Sequence, residues 1–279
     1  MGSLDGKVAF ITGAARGQGR SHALRLAAEG ADIIALDIGR HAFETVEYPV
    51  GTGDELDETV AEVEALGRRA VKGLADVREL AQVQAVVDAG LDELGRIDVV
   101  CANAGIGSFV ASWEMSAQQW REMIDVNLTG VFHTVRAAMP SMIERGEGGS
   151  LVLTSSTAGL IAFAHTAHYT AAKHGVIGLM KTLAIELGQY GIRVNAVCPT
   201  TVNTPMIANA PTFALFRPDL PEPTAQDVRE PFAALNILDV PWIEPEDVSE
   251  AVAWLCSDAA RNVTGVALPV DAGNIVKKL

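Results

Sequence analysis

Tyr169 and Lys173 stand four residues apart in the segment HYTAAKHG. On a helix that spacing puts the phenol and the ammonium on one face, and an ammonium beside a phenol favours the phenolate. An unperturbed phenol titrates near pH ~10, so a tyrosine that works as acid or base near neutrality needs such a neighbour. A positively charged cofactor ring would add to the effect. Ser156 ends the apolar run GSLVLTSS at 149–156, thirteen residues before the tyrosine. Its hydroxyl can hydrogen-bond an oxygen that changes between alcohol and carbonyl, and such a donor helps most when it is placed before the charge develops. Tyr-x-x-x-Lys by itself is common and most often a surface pair, so the chemistry becomes specific only with a cofactor site beside it.

Directly after the first apolar run, KVAFI, comes TGAARGQG, with Gly13, Gly17 and Gly19 leading into a helical pattern. Missing side chains let the backbone turn tightly and approach a pyrophosphate, whose charge the helix N-terminus then meets. The signal strengthens with Asp37, at the end of the second run and eighteen residues beyond Gly19. A carboxylate there can accept both ribose hydroxyls of NAD and repels the extra phosphate of NADP. Arg16, beside the loop, argues the other way, because a cation there can pair with a 2′-phosphate. NAD is favoured, since Asp37 stands closer to the ribose. The third run ends at Asp76-Val77 and the fourth at Asn103-Ala104-Gly105, both at strand ends where such sheets hold ligands. Asp76 could equally cap the helix that follows.

These residues need a framework. Further strand-length apolar runs occur at 31–37, 69–76, 97–105 and 149–156, with two more at IRVNAVCP and GVALPVDAG. Helical patterns at Gln18–Glu29, Glu55–Leu66, Leu80–Leu94, Ala171–Gly188 and Pro245–Cys256 alternate with them. Strands apolar on both faces and alternating with helices predict a doubly wound α/β fold, a parallel sheet of about seven strands covered on each side. No repeat or low-complexity tract interrupts the rhythm, so residues 1–279 read as a single domain. Two stretches depart from it. Residues 38–54 form an insertion where such units usually need only two to six residues. Residues 200–244 hold prolines and aromatic residues in a density that rules out one long helix, and a loop of that length is usually functional, here a lid over a substrate.

Composition narrows the partners. The chain has 279 residues, 49% of them hydrophobic, with a net charge of −14 from 35 acids against 21 bases. No basic face is available for a phosphate backbone, which argues against nucleic acid. Cys101, Cys198 and Cys256 lie in or beside apolar runs without metal-ligand spacing, so they read as reduced core residues, and no metal site is expected. No signal peptide is evident and no apolar run is long enough to span a bilayer, which points to a cytoplasmic protein.

With TGAARGQG, NAG, Asn127, SS, YTAAK and PTTVNTP in place, the chain resembles the short-chain dehydrogenase/reductase family over nearly its whole length, with the Rossmann fold that this implies. By that resemblance Tyr169 is the general acid/base, and Lys173 holds the nicotinamide ribose and lowers the tyrosine pKa. Ser156 orients the substrate, and Asn127 supports a proton-relay water. Val202 and Thr204 would touch the carboxamide, and Asp76 with Val77 would flank the adenine. The expected cofactor contacts therefore run from Gly13, Arg16, Gly17, Gln18 and Gly19 through Asp37, Ile38, Asp76 and Val77. They continue with Asn103, Ala104 and Gly105, then Tyr169 and Lys173, and end with Pro199, Val202 and Thr204.

The pattern departs from the family at Ala102, where Asn is frequent, and at Thr200, where Gly follows the proline; the second departure bears on how the chain enters the lid. The stretches AARGQGRSHA, HYTAAKHGVIGLM and PTTVNTPM, with the insertion after Asp37, are similar to the carveol-dehydrogenase-like, mycofactocin-associated branch of actinobacteria. That likeness implies NAD held so firmly that it does not exchange and electrons passed to a redox peptide cofactor, while the apolar, aromatic lid motivates a small hydrophobic secondary alcohol or its ketone, such as a carveol-like terpenoid, as substrate. The family also implies a homotetramer. The alternatives are an NADPH-dependent carbonyl reductase of the same fold and, less in keeping with the intact Ser-Tyr-Lys set, a non-catalytic NAD sensor. Phe43 and Tyr48 of the insertion are expected to cover apolar surface over the bound cofactor, and His165 and His168 to flank the tyrosine at a helix entrance.

Overall fold

The computed structural model describes residues 2–40 and 42–278; Met1, His41 within the insertion, Leu279 and the Lys278 side chain lie outside the described residues. Strand β1 (Val8–Thr12) leads into α1 (Gly17–Ala28), β2 (Asp32–Asp37), α2 (Gly53–Ala65), β3 (Ala70–Leu74), α3 (Leu80–Leu94) and β4 (Val99–Ala102). Next come α4 (Ala117–Ile124) and α5 (Gly130–Arg145), joined by a π-helical turn over Asp125–Thr129, then β5 (Gly149–Thr154) and α6 (Ala167–Leu187). The chain closes with β6 (Ile192–Pro199), α7 (Ala210–Phe216), α8 (Arg229–Ala233), α9 (Pro245–Cys256), β7 (Ala267–Val270) and α10 (Asn274–Lys278).

All seven strands form one sheet in the order β3-β2-β1-β4-β5-β6-β7, and every neighbouring pair is parallel. Growth of the sheet reverses between β1 and β4. The alternation of side chains along the strands divides the core in two. Phe10, Ile34, Leu36, Val100 and Leu151 face the layer of α3, α5 and α6, while Ile11, Ile33, Ala35, Cys101 and Val152 face the layer of α1 and α9. Both faces are dry, which is why the runs read as apolar throughout rather than alternating. All three cysteines are buried and free.

Helix α6 begins four residues earlier than the sequence pattern suggests, at Ala167, which places Tyr169 inside its first turn. The insertion ends at Thr52, whose hydroxyl accepts from the Glu55 N–H while Glu55 accepts from the Thr52 N–H. That reciprocal cap sets the start of α2 at Gly53. Between Ile38 and Thr52 the described residues form neither helix nor strand, yet Phe43, Val46, Tyr48 and Val50 are buried in the main core. In the 200–244 segment the chain folds as two short helices, α7 and α8, with Phe232 wedged edge-on between Phe216 and Trp242.

Asp98, at the amino end of β4, is 4% exposed and ion-paired to Arg96 and Arg145. Burial pushes its carboxyl up, but these guanidinium groups outweigh it and hold the pKa below its ordinary value. This acid is structural, since ligands of open parallel sheets bind at the opposite, carboxyl ends. Among the described residues no helix is long and apolar enough to cross a membrane.

Candidate active site

A cleft runs along the carboxyl ends of β2, β1 and β4, at the reversal of strand order. After β1 the chain turns through Gly13 (φ 71°) and Gly17 (φ 56°), conformations that a side chain disfavours. A Cβ at Gly19 would stand 1.9 Å from the Gly13 carbonyl oxygen, and one at Gly13 would stand 2.9 Å from the Ala104 Cα. The loop is therefore a cradle of bare backbone. No side chain caps the N-terminus of α1, whose first N–H groups are left for an anion in the cleft. Gln18 lines the cleft with a buried Oε1 that lacks a hydrogen-bond partner.

Asp37 is 7% exposed and lines the same cleft. Its Oδ2 accepts from the Ala15 N–H at 2.9 Å and its Oδ1 from the Ile38 N–H at 2.8 Å. Burial outweighs these bonds and raises its pKa. Arg16 also borders the cleft, but its guanidinium donates to the Pro49 carbonyl of the insertion and lies 3.8 Å from Glu55. The cation that sequence reasoning offered to a 2′-phosphate is thus engaged by the insertion.

The structure brings Asp76, Val77, Asn103, Ala104, Gly105 and Ile38 to the cleft walls. The carboxylate of Asp76 does not cap α3, whose N-cap is Glu79; it is gripped by Arg78, which outweighs burial and lowers its pKa. The Asn103 amide donates to the Thr12 carbonyl and accepts from the Thr154 hydroxyl, while Thr12 Oγ1 accepts from the N–H groups of Asn103 and Ala104. Its side chain locks three strand ends together, so its part in the cleft is to shape the wall.

Beyond Asn103 the cleft opens into a cavity of about 380 Å³, mostly apolar, in which Ser156, Tyr169, Lys173, Pro199, Val202 and Thr204 meet. Gln18, Asn103, Gly105, Ile106, Thr204 and Met206 border both spaces, so cleft and cavity are continuous. Ser156 Oγ accepts from the Ala158 N–H at 3.1 Å and reaches the Pro199 carbonyl at 3.5 Å. Lys173 is buried; its Nζ donates to the Thr154 carbonyl at 2.8 Å and lies 5.6 Å from the centre of the Tyr169 ring. Burial brings its pKa down to about 8.

The tyrosine differs from the sequence expectation. Burial raises the Tyr169 phenol above its ordinary value, against the opposing pull of a hydrogen bond with Ser156. The ammonium faces a backbone carbonyl rather than the phenol, so Lys173 does not by itself depress the tyrosine.

Asn127 sits in the π-helical turn, fully buried, with Oδ1 accepting from the Ile106 N–H and Nδ2 donating to the Ile106 carbonyl, both at 2.8 Å. Its amide pins the loop after β4, a positioning task that the water-support expectation did not contain. Local π-helical turns recur at functional sites. His165 is exposed with φ 63°, whereas His168 is buried and 3.0 Å from Ser108. Sequence reasoning missed Ile106 and Ser108, which carry no motif, and Met206, which ends PTTVNTPM but was given no role. Their only signal was proximity to the ends of β4 and β6.

A family model described as short chain dehydrogenase matches residues 7–213, and the chain belongs to that family. It is 51% identical over 278 residues to (-)-trans-carveol dehydrogenase of Rhodococcus erythropolis, covering 99% of this chain and 100% of that one. Among solved structures, carveol dehydrogenase of Mycobacterium avium in complex with NAD superposes with a TM-score of 0.97 at 52% identity, covering 99% of this chain and 100% of that one. A short chain dehydrogenase of Mycobacterium paratuberculosis bound to NAD follows with a TM-score of 0.91 at 44% identity, covering 99% of this chain and 100% of that one.

Proposed function

We propose that the chain is an NAD-dependent dehydrogenase that interconverts a hydrophobic secondary alcohol and its ketone, with Tyr169 as general acid/base. The observation that carries this reading is the continuity of the glycine cradle with a mostly apolar cavity whose wall holds Ser156, Tyr169 and Lys173. The cradle, the buried Asp37 and the uncapped N-terminus of α1 suit a dinucleotide. Engagement of Arg16 by the insertion favours NAD over NADP, as do the NAD complexes of two relatives.

Bound NAD would accept the hydride from the carbinol carbon. The chain's own task is the proton. Ser156 holds the substrate oxygen and Tyr169 takes its proton in the oxidative direction, returning it for reduction. Because burial raises the phenol, the positive charges of Lys173 and of an oxidised nicotinamide together must bring it back toward neutrality.

The insertion supports firm retention of the cofactor. The Tyr48 hydroxyl accepts from the Gly107 N–H at 2.9 Å, the Arg78 guanidinium lies 4.8 Å over the Phe43 ring, and Thr45 bonds Glu122. A Cβ at Gly51 would stand 2.8 Å from Asp37 Oδ1, so the loop closes directly against the ribose-binding acid. The chain named for carveol dehydrogenation in Rhodococcus makes a cyclic terpenoid alcohol a natural substrate class. A homotetramer would cover Phe132, Ile185 and Trp254, which stand exposed on α5, α6 and α9; sedimentation velocity tests it.

The deciding experiment denatures purified protein, assays the supernatant for NAD, and screens cyclic secondary alcohols with an artificial electron acceptor. Released NAD and acceptor-dependent turnover are expected. Replacing residues 42–50 by two glycines should speed NAD dissociation by about tenfold or more, the equivalent of losing roughly 1.4 kcal/mol of holding energy. Preference for NADP, or an unchanged dissociation rate in the shortened protein, would count against the cofactor assignment and the latch respectively.

A further inference from the structure

The substrate cavity contains a second polar arrangement away from the reactive wall. Ser108, in the loop after β4, lines this cavity and a smaller neighbouring one under α7, and does not line the dinucleotide cleft. Its Oγ lies 3.0 Å from Nε2 of His168, the residue before Tyr169 on α6. His168 is 0% exposed, and burial lowers its pKa, so the ring is neutral at working pH.

A neutral imidazole has one donor and one acceptor nitrogen. Nδ1 is buried without a hydrogen-bond partner. Nε2 therefore makes the side-chain bond of the ring, to the Ser108 hydroxyl. Whichever of the two atoms donates, that bond fixes the Ser108 hydroxyl in place and leaves a lone pair of Oγ for the cavity.

We propose that Ser108, oriented by His168, is a hydroxyl-binding subsite that accepts a hydrogen bond from a second hydroxyl on the substrate, distinct from the one oxidised at Tyr169. The substrate class narrows to hydrophobic diols, or hydroxyketones in the reductive direction. Ser108 contacts the ligand; His168 is a positioning residue that acts through it. The proposal rests on the dehydrogenase reading and adds a selectivity to it.

The test measures kcat/KM on cyclohexanol, on the cyclohexane-1,3- and 1,4-diols, and on the monomethyl ether of each diol, which keeps the second oxygen but removes its proton. The best diol should exceed its ether by about tenfold, about fivefold for one net hydrogen bond multiplied by about two for its second reactive hydroxyl. Ser108→Ala should bring that ratio down to the statistical value of about two by lowering turnover of the diol more than that of the ether. His168→Gln, which keeps an acceptor, should retain part of the ratio, and His168→Leu should lose it. A merely structural Ser-His contact would change stability and all substrates alike, leaving the ratio where it was. A ratio of diol to ether no greater than the statistical value of about two in the unaltered protein, or a larger ratio that survives Ser108→Ala, would overturn the subsite. Failure to oxidise any of these alcohols would instead overturn the dehydrogenase reading. Calorimetric binding of diol and ether to the same protein then reads the subsite separately, with equal affinities counting against it.

Discussion

Two long segments interrupt the α/β rhythm, the insertion at 38–52 and the segment at 200–244, and they are packed differently. The insertion has no helix or strand among its described residues, yet it sinks Phe43, Val46, Tyr48 and Val50 into the main core. The 200–244 segment has two helices and buries Val228 and Phe232, yet it leaves Leu215, Ile237 and Leu238 exposed, and its apolar side chains border a cavity. Irregular backbone is therefore no guide to mobility here. Local opening is governed by buried apolar contact, so the insertion should behave as part of the framework around the cofactor, and the 200–244 segment should open first at its exposed Leu215, Ile237 and Leu238.

The insertion borders the dinucleotide cleft and the 200–244 segment the cavity beyond it, and the reactive wall of that cavity gives the largest effect. Tyr169→Phe should lower kcat by about 10²–10⁴-fold, the range for loss of a general acid/base, with NAD retained because the insertion is untouched. Full turnover in that variant would remove the chemistry from the space between the two segments.

The comparison itself is tested by stability. Phe43→Ala should cost about 3–5 kcal/mol, as for other buried aromatic truncations, whereas Leu238→Ser on the lid should stay within about 0.5 kcal/mol. Denaturant melts of the two variants read the difference, and similar costs would show that the two segments are anchored alike.

A smaller and pH-dependent effect separates them further. Burial pushes the Tyr48 phenol up to about 12. The folded protein holds that proton more tightly than the unfolded chain, so the stabilisation is complete below pH ~10 and is lost as pH rises from there towards the folded value, at about 1.4 kcal/mol per pH unit. NAD release from the holoprotein should quicken over that range, and Tyr48→Phe should remove this limb. An identical alkaline profile in the variant would place the sensitivity elsewhere.

Much of this protein was legible in the amino-acid order because its determinants are local. Apolar runs on a two-faced sheet, TGAARGQG after β1, and Tyr169 and Lys173 one turn apart on α6 are written within a few residues of one another, and strand, cradle and helix face follow from them. The same order marked 38–54 and 200–244 as departures from the α/β rhythm, and the structure has irregular chain in the first and two short helices in the second. It did not reveal that α6 starts at Ala167, because the helix has no side-chain cap to announce it.

What only the tertiary structure decided depends on neighbours far apart in the chain. Arg16 meets the Pro49 carbonyl rather than standing free beside the glycine loop. Lys173 turns to the Thr154 carbonyl, and burial lifts the Tyr169 phenol that spacing alone would lower. Asn127 pairs with Ile106, and His168 finds Ser108 across sixty residues. Desolvation and hydrogen-bond geometry are properties of the packed surroundings, and no spacing in the sequence encodes them.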